Sequence, residues 1–126
     1  MQAPIDAMGN ILAAREFSWV RGDGVTIHAY AEIGFPFPYP PLNDGSDGGW
    51  GCNVRTRGLD DNRIDIVNGV DAIQALYHAL IQAGTRTGNS IVAKDLDWAA
   101  LPNYGFPAAD SGQNGVAPAA ACVPCQ

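Results

Sequence analysis

The sequence predicts an α+β domain, in which an antiparallel β-meander of about four strands is covered by one main helix over residues 71–84 and followed by an irregular C-terminal extension. Three observations predict it. Apolar residues alternate with polar ones before residue 67, the period changes to that of a helix at Asp71, and 126 residues at 47% hydrophobic supply one core.

Taken in order, Ile11, Ala13, Phe17 and Trp19 alternate with Glu16 and Ser18, interrupted by Arg15, which is the pattern of a half-buried strand. Gly22-Asp23-Gly24 supplies a turn. Val25, Ile27, Ala29, Ala31 and Ile33 then alternate with Thr26, His28, Tyr30 and Glu32, the clearest strand of the chain, so the pair reads as a hairpin. From Phe35 to Pro41 four prolines remove four backbone donors, which excludes a central strand, and residues 43–49 continue as an Asp/Gly/Ser loop. Trp50, Cys52, Val54 and Thr56 mark a third strand. Its alternate residues Arg55 and Arg57 are expected to join the Asp60-Asp61 turn in a salt-linked solvent face, and Ile64 and Ile66 mark a short fourth strand.

Asp71 is placed to cap a helix, with Gln74 three residues on to complete a capping box. Ile73, Leu76, Tyr77, Leu80 and Ile81 follow helical spacing and are expected to cover the sheet. The other face, with Ala72, Ala75, His78, Ala79 and Gln82, is too plain for a solvent face. Residues 91–106, bearing Trp98, Tyr104 and Phe106, are expected to fold back over the helix or along a sheet edge, with a homodimer contact as the alternative. The domain is thus expected over residues 1–106, with an Ala/Gly/Pro-rich tail at 107–126.

Thirteen acidic residues against seven basic ones give a formal charge of −6, which repels nucleic-acid backbones and anionic membranes and steers the chain toward a cationic partner. No apolar run reaches the roughly 18–20 residues of a membrane span, and the first residues lack a basic leader segment, so a cytoplasmic protein is expected. An odd count of three cysteines points to a reducing compartment.

Catalytic motifs are missing from the pattern. His28 and His78 have no nucleophile or carboxylate beside them in sequence, and neither Asp60-Asp61 nor Asp95 with Asp97 reads as a catalytic pair. Cys122-Val123-Pro124-Cys125 has the spacing of half a zinc site or a dithiol centre, but the other ligands would have to come from Cys52 with His28 or His78. An incidental pair or a local disulfide is the preferred reading, so neither metal nor cofactor is expected. The candidate partner-binding residues are the aromatic strip Phe35, Phe37 and Tyr39, the loop tryptophan Trp50, and the acidic turn Asp60 and Asp61.

Gly69-Val70-Asp71-Ala72-Ile73-Gln74-Ala75-Leu76, together with Trp50-Gly51-Cys52 and the Arg15-Glu16-Phe17 strand, resembles a family of small uncharacterised bacterial domains. Such domains share a β-meander, a Trp-x-Cys strand and a helix opening Gly-Val-Asp-Ser/Ala-x-Gln-Ala-Leu. The resemblance spans about residues 11–84, leaves residues 35–49 and those after Gly88 outside the pattern, and implies a fold without an activity.

These features favour a non-catalytic protein-binding module, most concretely an immunity-type inhibitor that blocks a cationic toxin or enzyme. A subunit of a larger assembly is the first alternative. The second is a ligand binder or enzyme with a pocket lined by His28, Tyr30 or Cys52.

Overall fold

In the computed structural model, which describes residues 8–108, the alternating segments form one antiparallel sheet. Strands β1 (Ile11–Val20) and β2 (Thr26–Gly34) make the expected hairpin. Its turn is held by the Asp23 carboxylate, which accepts from the Val25 N–H and the Arg21 guanidinium, while Gly24 takes a φ of 86°. A two-residue β3 (Phe37–Pro38) follows, then β4 (Trp50–Arg57) and β5 (Ile64–Gly69). β4 lies between β2 and β5, and β3 continues the line of β2 along the same side of β4. The proline-rich stretch therefore contributes a fragment of strand at the sheet margin, as its missing donors require. β5 runs to Gly69, longer than the pair of isoleucines indicated.

Register sorts the side chains into two faces. Phe17 opposes Ala29, Ala31 opposes Thr56, Ile33 opposes Val54, and Cys52 opposes Val67, so all of these point toward the helix and form the core. On the reverse face Glu32 opposes Arg55, and its carboxylate takes both Arg55 at 2.8 Å and Arg57 at 3.1 Å. The expected link from these arginines to Asp60-Asp61 is corrected. A glutamate directly across the ladder is nearer than a turn beyond the strand end.

The helix, α1 (Ala72–Gly88), begins at Asp71, whose carboxylate accepts from the Gln74 N–H at 2.8 Å, while Gln74 Oε1 accepts from the Val70 N–H at 2.7 Å. It runs one turn past the expected end at residue 84. Gly84 is helical because nothing larger fits: a Cβ there would lie 2.4 Å from Asn103 Nδ2 and 2.9 Å from Phe106 Cβ. The turn beyond it is fixed by Arg86, buried at 3% exposure, which forms a two-pronged pair with Asp60 at 2.9 and 3.0 Å and also donates to the Val54 carbonyl.

The helix also presents the opposite face from the one expected. Ala75, Ala79 and Ala83 are fully buried against the sheet, whereas Ile73 is 79% and Tyr77 46% exposed; Leu76 and Leu80 are half-buried at the flank. Close approach decides this. At Gly69 a Cβ would lie 2.3 Å from the Ala75 nitrogen, so the helix start rests directly on the end of β5, a separation only small residues permit.

Residues 91–106 do fold back, across the end of α1 and onto β1. Asp97 and Ser18 exchange hydrogen bonds, N–H of each to an oxygen of the other, at 3.0 and 3.1 Å. Trp98 meets Phe17 edge to face, Phe106 closes the core beside it, and the Arg15 guanidinium stacks on both rings at 4.1 and 4.5 Å. The pair Cys122 and Cys125 lies outside the described residues, as does the tail beyond residue 108.

Candidate functional site: a groove beside the outer strand

Among the described residues, β5 is paired on one side only. The phase of the ladder shows which of its backbone groups face outward. Asp97 binds the outer side of Ser18 on β1, which turns Phe17 inward; carried through the registers, this turns Tyr30 and Glu32 toward β4, and Val54 and Cys52 toward β5. Asp65 and Val67 therefore pair with β4, while Ile64, Ile66 and Asn68 direct their N–H and C=O groups outward. His78 confirms the phase, because its Nδ1 lies 2.7 Å from the Asn68 carbonyl.

A carbonyl can only accept, so His78 Nδ1 carries the proton and Nε2 is left as the ring's acceptor in the neutral side chain. The ring closes the end of the exposed edge at Asn68. Nothing among the described residues closes it at Ile66.

Between this edge and the outward face of α1 lies a groove of about 580 Å³, lined by Ile66, Val67, Tyr77, His78, Ile81 and Gln82. Ile73, Tyr77 and Ile81 fall at successive four-residue steps along the helix, while Ile66 borders the groove from the edge of β5, its place in the register opposite Asn53 setting its side chain on the reverse face of the sheet. Gln82 is held to Asp65 at 2.8 Å, and Asp65 also meets Arg63 and Arg86. These contacts, outweighing burial, keep the Asp65 carboxyl below the ordinary aspartate range. Asp61 and Asp71 stand exposed beyond the two ends of β5. The groove thus has an apolar floor and backbone donors and acceptors along one wall, and its strand is flanked in sequence by carboxylates.

A family model described as a domain of unknown function, DUF6968, matches residues 14–108. The chain belongs to this family. In the DUF6968 domain the match reaches well past residue 84 and takes in both the proline-rich stretch and the segment bearing Trp98 and Phe106, which the structure places in the core. No curated protein and no solved structure matches the chain. Family membership thus supplies no reaction for the DUF6968 domain, and its site rests on geometry.

The residues expected to bind a partner do not converge. Phe37 and Tyr39 stack edge to face at 5.4 Å and press on Gly51, where a Cβ would lie 2.7 Å from both Phe37 Cζ and the Tyr39 hydroxyl. Tyr39 also donates to Asn68 Oδ1 at 2.7 Å, so this strip covers its own sheet; Phe35 projects to solvent. Trp50 packs partly against the core. Asp60 is committed to Arg86 and Thr56, and Asp61 meets Arg63 across an exposed turn. His28 and Tyr30 lie on the reverse face of the sheet, where His28 meets Glu16 at 2.8 Å and Tyr30 lies under Arg57. Cys52 is sealed in the core, donating to the Gly34 carbonyl, and burial raises its thiol pKa. These three side chains do not line the groove. Among the described residues, no three His, Cys, Asp or Glu side chains are grouped to hold a metal, and no helix is long and apolar enough to cross a membrane.

The groove itself is missing from the sequence reading. Its one signal is that two helical faces competed for the sheet, the Ala75, Ala79, Ala83 series at four-residue spacing against the Ile73, Tyr77, Ile81 series.

Proposed function

We propose that this domain is a protein-binding module whose docking surface is the groove between β5 and α1. One observation carries the proposal: the larger apolar residues of an amphipathic helix, Ile73 and Tyr77, are turned to solvent next to the outer strand β5, whose far edge no described residue pairs. Close packing of the alanine face on the sheet leaves these larger side chains in water, where a partner can cover them. Contiguous exposed apolar surface of this kind, rimmed by polar groups, is characteristic of interaction sites. The formal charge of −6 favours a cationic partner, which keeps an inhibitor of a basic toxin or enzyme as the most concrete version of the module. An assembly subunit is the second reading, favoured by the sheet having two outer strands, β1, partly held by Asp97 at Ser18, and β5.

The test is capture from native lysate by the wild-type chain and by the double variant Ile73→Lys, Tyr77→Lys. A protein retained by the wild type and lost by an equally stable variant supports the groove. Identical capture by both, or by neither, contradicts it.

A further inference from the structure

We infer that the partner of this groove is an extended segment of a basic protein that joins the sheet as an added strand on β5, with basic and apolar side chains alternating every second residue along one face. The inference rests on the docking role proposed above and specifies its mode.

The backbone argues for a strand and not a helix. Ile66 directs one N–H and one C=O outward, Ile64 does the same one step back, and Asn68 adds its N–H, while His78 occupies the Asn68 carbonyl. The free edge is therefore short, from Ile64 to the amide of Asn68, and its polar groups can be satisfied in a dry interface by another extended chain. A helix laid in the groove would bury them unpaired.

Side-chain register gives the chemistry. On β5, Asp65 and Val67 point to the helix side of the sheet, so residues of an added strand opposite them enter the groove side by side, two positions apart. The residue opposite Val67 meets Val67, Tyr77 and Ile81, which fits an aliphatic or aromatic group. The Asp65 carboxylate is already shared by Gln82, Arg63 and Arg86, so the preference for lysine or arginine opposite it rests on the excess of carboxylates along this margin, Asp61, Asp65 and Asp71 against the exposed Arg63, and on the formal charge of −6. A second copy of this chain is disfavoured by the same charges, since pairing β5 with β5 would bring Asp61, Asp65 and Asp71 of two molecules together.

The opposite margin of the sheet offers β1 backbone groups too, but Asp97 already holds Ser18, and the hollow beside β1 is about 100 Å³. Arg15 lies in that hollow, stacked on Phe106, so it presents a cation where a basic segment would have to enter.

The probe is a fluorescent synthetic peptide of about ten residues built on an Arg-Thr-Val-Thr repeat, which sets arginine and valine at alternate positions of one strand face, compared with a Glu-Thr-Val-Thr repeat. Binding is followed by anisotropy, and amide exchange of β5 is read by NMR. The inference expects the basic peptide to bind, to slow exchange at Ile66, and to weaken several-fold when salt is raised from low to physiological strength. Ile66→Pro removes the outward N–H without touching the β4 ladder and should weaken binding about tenfold, as one lost hydrogen bond plus poorer fit implies. Tyr77→Lys should also weaken it. If the peptide binds and is lost in Tyr77→Lys, yet Ile66→Pro binds normally and the Ile66 amide is unprotected, strand addition is wrong while the groove survives. Binding that is indifferent to both variants overturns the groove as well. Equal binding of the acidic peptide overturns the basic preference. No binding by either peptide, or Ile66 protection that rises with protein concentration alone, overturns the inference, the latter in favour of a second copy.

Discussion

Replacing Asp60 by alanine should destabilise this domain at its helix end. Asp60 accepts three hydrogen bonds from Arg86 at 2.9 to 3.0 Å and one from Thr56 at 2.7 Å, and the Arg86 side chain is only 2% exposed. Removing one member of a fully buried ion pair costs about 3–5 kcal/mol, because the other charge stays in the interior without its counterion. Asp60 keeps 22% of its side-chain surface in water, and Asp65 at 3.5 Å still faces the guanidinium, so about 2–3 kcal/mol is expected here. For a domain of this size that is a fall of about 10–20 °C in Tm. Circular dichroism melts of the wild type, Asp60→Ala, Arg86→Met and the double variant provide the assay, since the cycle isolates the coupling. The double variant should be more stable than Asp60→Ala alone, because it no longer buries a stranded charge. A Tm loss under about 4 °C for Asp60→Ala, or additive effects in the cycle, would refute the clamp.

Acid should act on the same cluster. For both Asp60 and Asp65, burial works to raise the pKa but is outweighed by hydrogen bonds and by Arg86, leaving each below the ordinary 3.8. A folded-state pKa below the unfolded one gives stability that is present above pH 3.8 and is lost as the pH falls through the depressed value. The wild type should therefore lose Tm steeply only below that point, with a shallower loss in Asp60→Ala; parallel curves would contradict the linkage. Gly69→Ala should cost about 2–3 kcal/mol in chemical denaturation, since its Cβ would sit 2.3 Å from the Ala75 nitrogen and force the helix off the sheet. Trp98→Ala should cost a similar amount, about 2–3 kcal/mol, by opening the contact with Phe17 and Arg15; an unchanged melt would show that the returning segment is not part of the core. Ile73→Lys with Tyr77→Lys should leave Tm within about 3 °C of wild type, because both side chains already face water.

The strands were legible because alternate residues carry the apolar side chains of the core face, although the opposite face is not wet throughout, since Glu32 is buried with Arg55. Asp71 and Gln74 were legible because capping is a local exchange between neighbours, although Gln74 reaches the amide of Val70 and not that of Asp71. The orientation of α1 was not. Periodicity finds an amphipathic helix and assumes that its greasier side goes inward, whereas the depth of contact here is set by the close approach of the helix start to Gly69, which favours the alanine series. Arg86 was hidden for a related reason: it lies in a Gly/Thr-rich run that looks like a terminator, and its partner Asp60 is 26 residues away. The groove followed from both errors of expectation, since it exists only where the helix turns Tyr77 and Ile81 outward. The candidates Phe37, Tyr39 and Asp60 were chosen for their residue types, and each proved to be occupied by a contact that no local pattern announces.

The most direct test of the central claim, that partners dock on the β5 and α1 groove, is site-specific photocrosslinking in cells with a photoreactive phenylalanine analogue placed singly at Tyr77, at Phe35 and at His28. The account predicts a discrete crosslinked partner from position Tyr77 and none from Phe35 or His28. A partner captured at Phe35 or His28, with none at Tyr77, would contradict it.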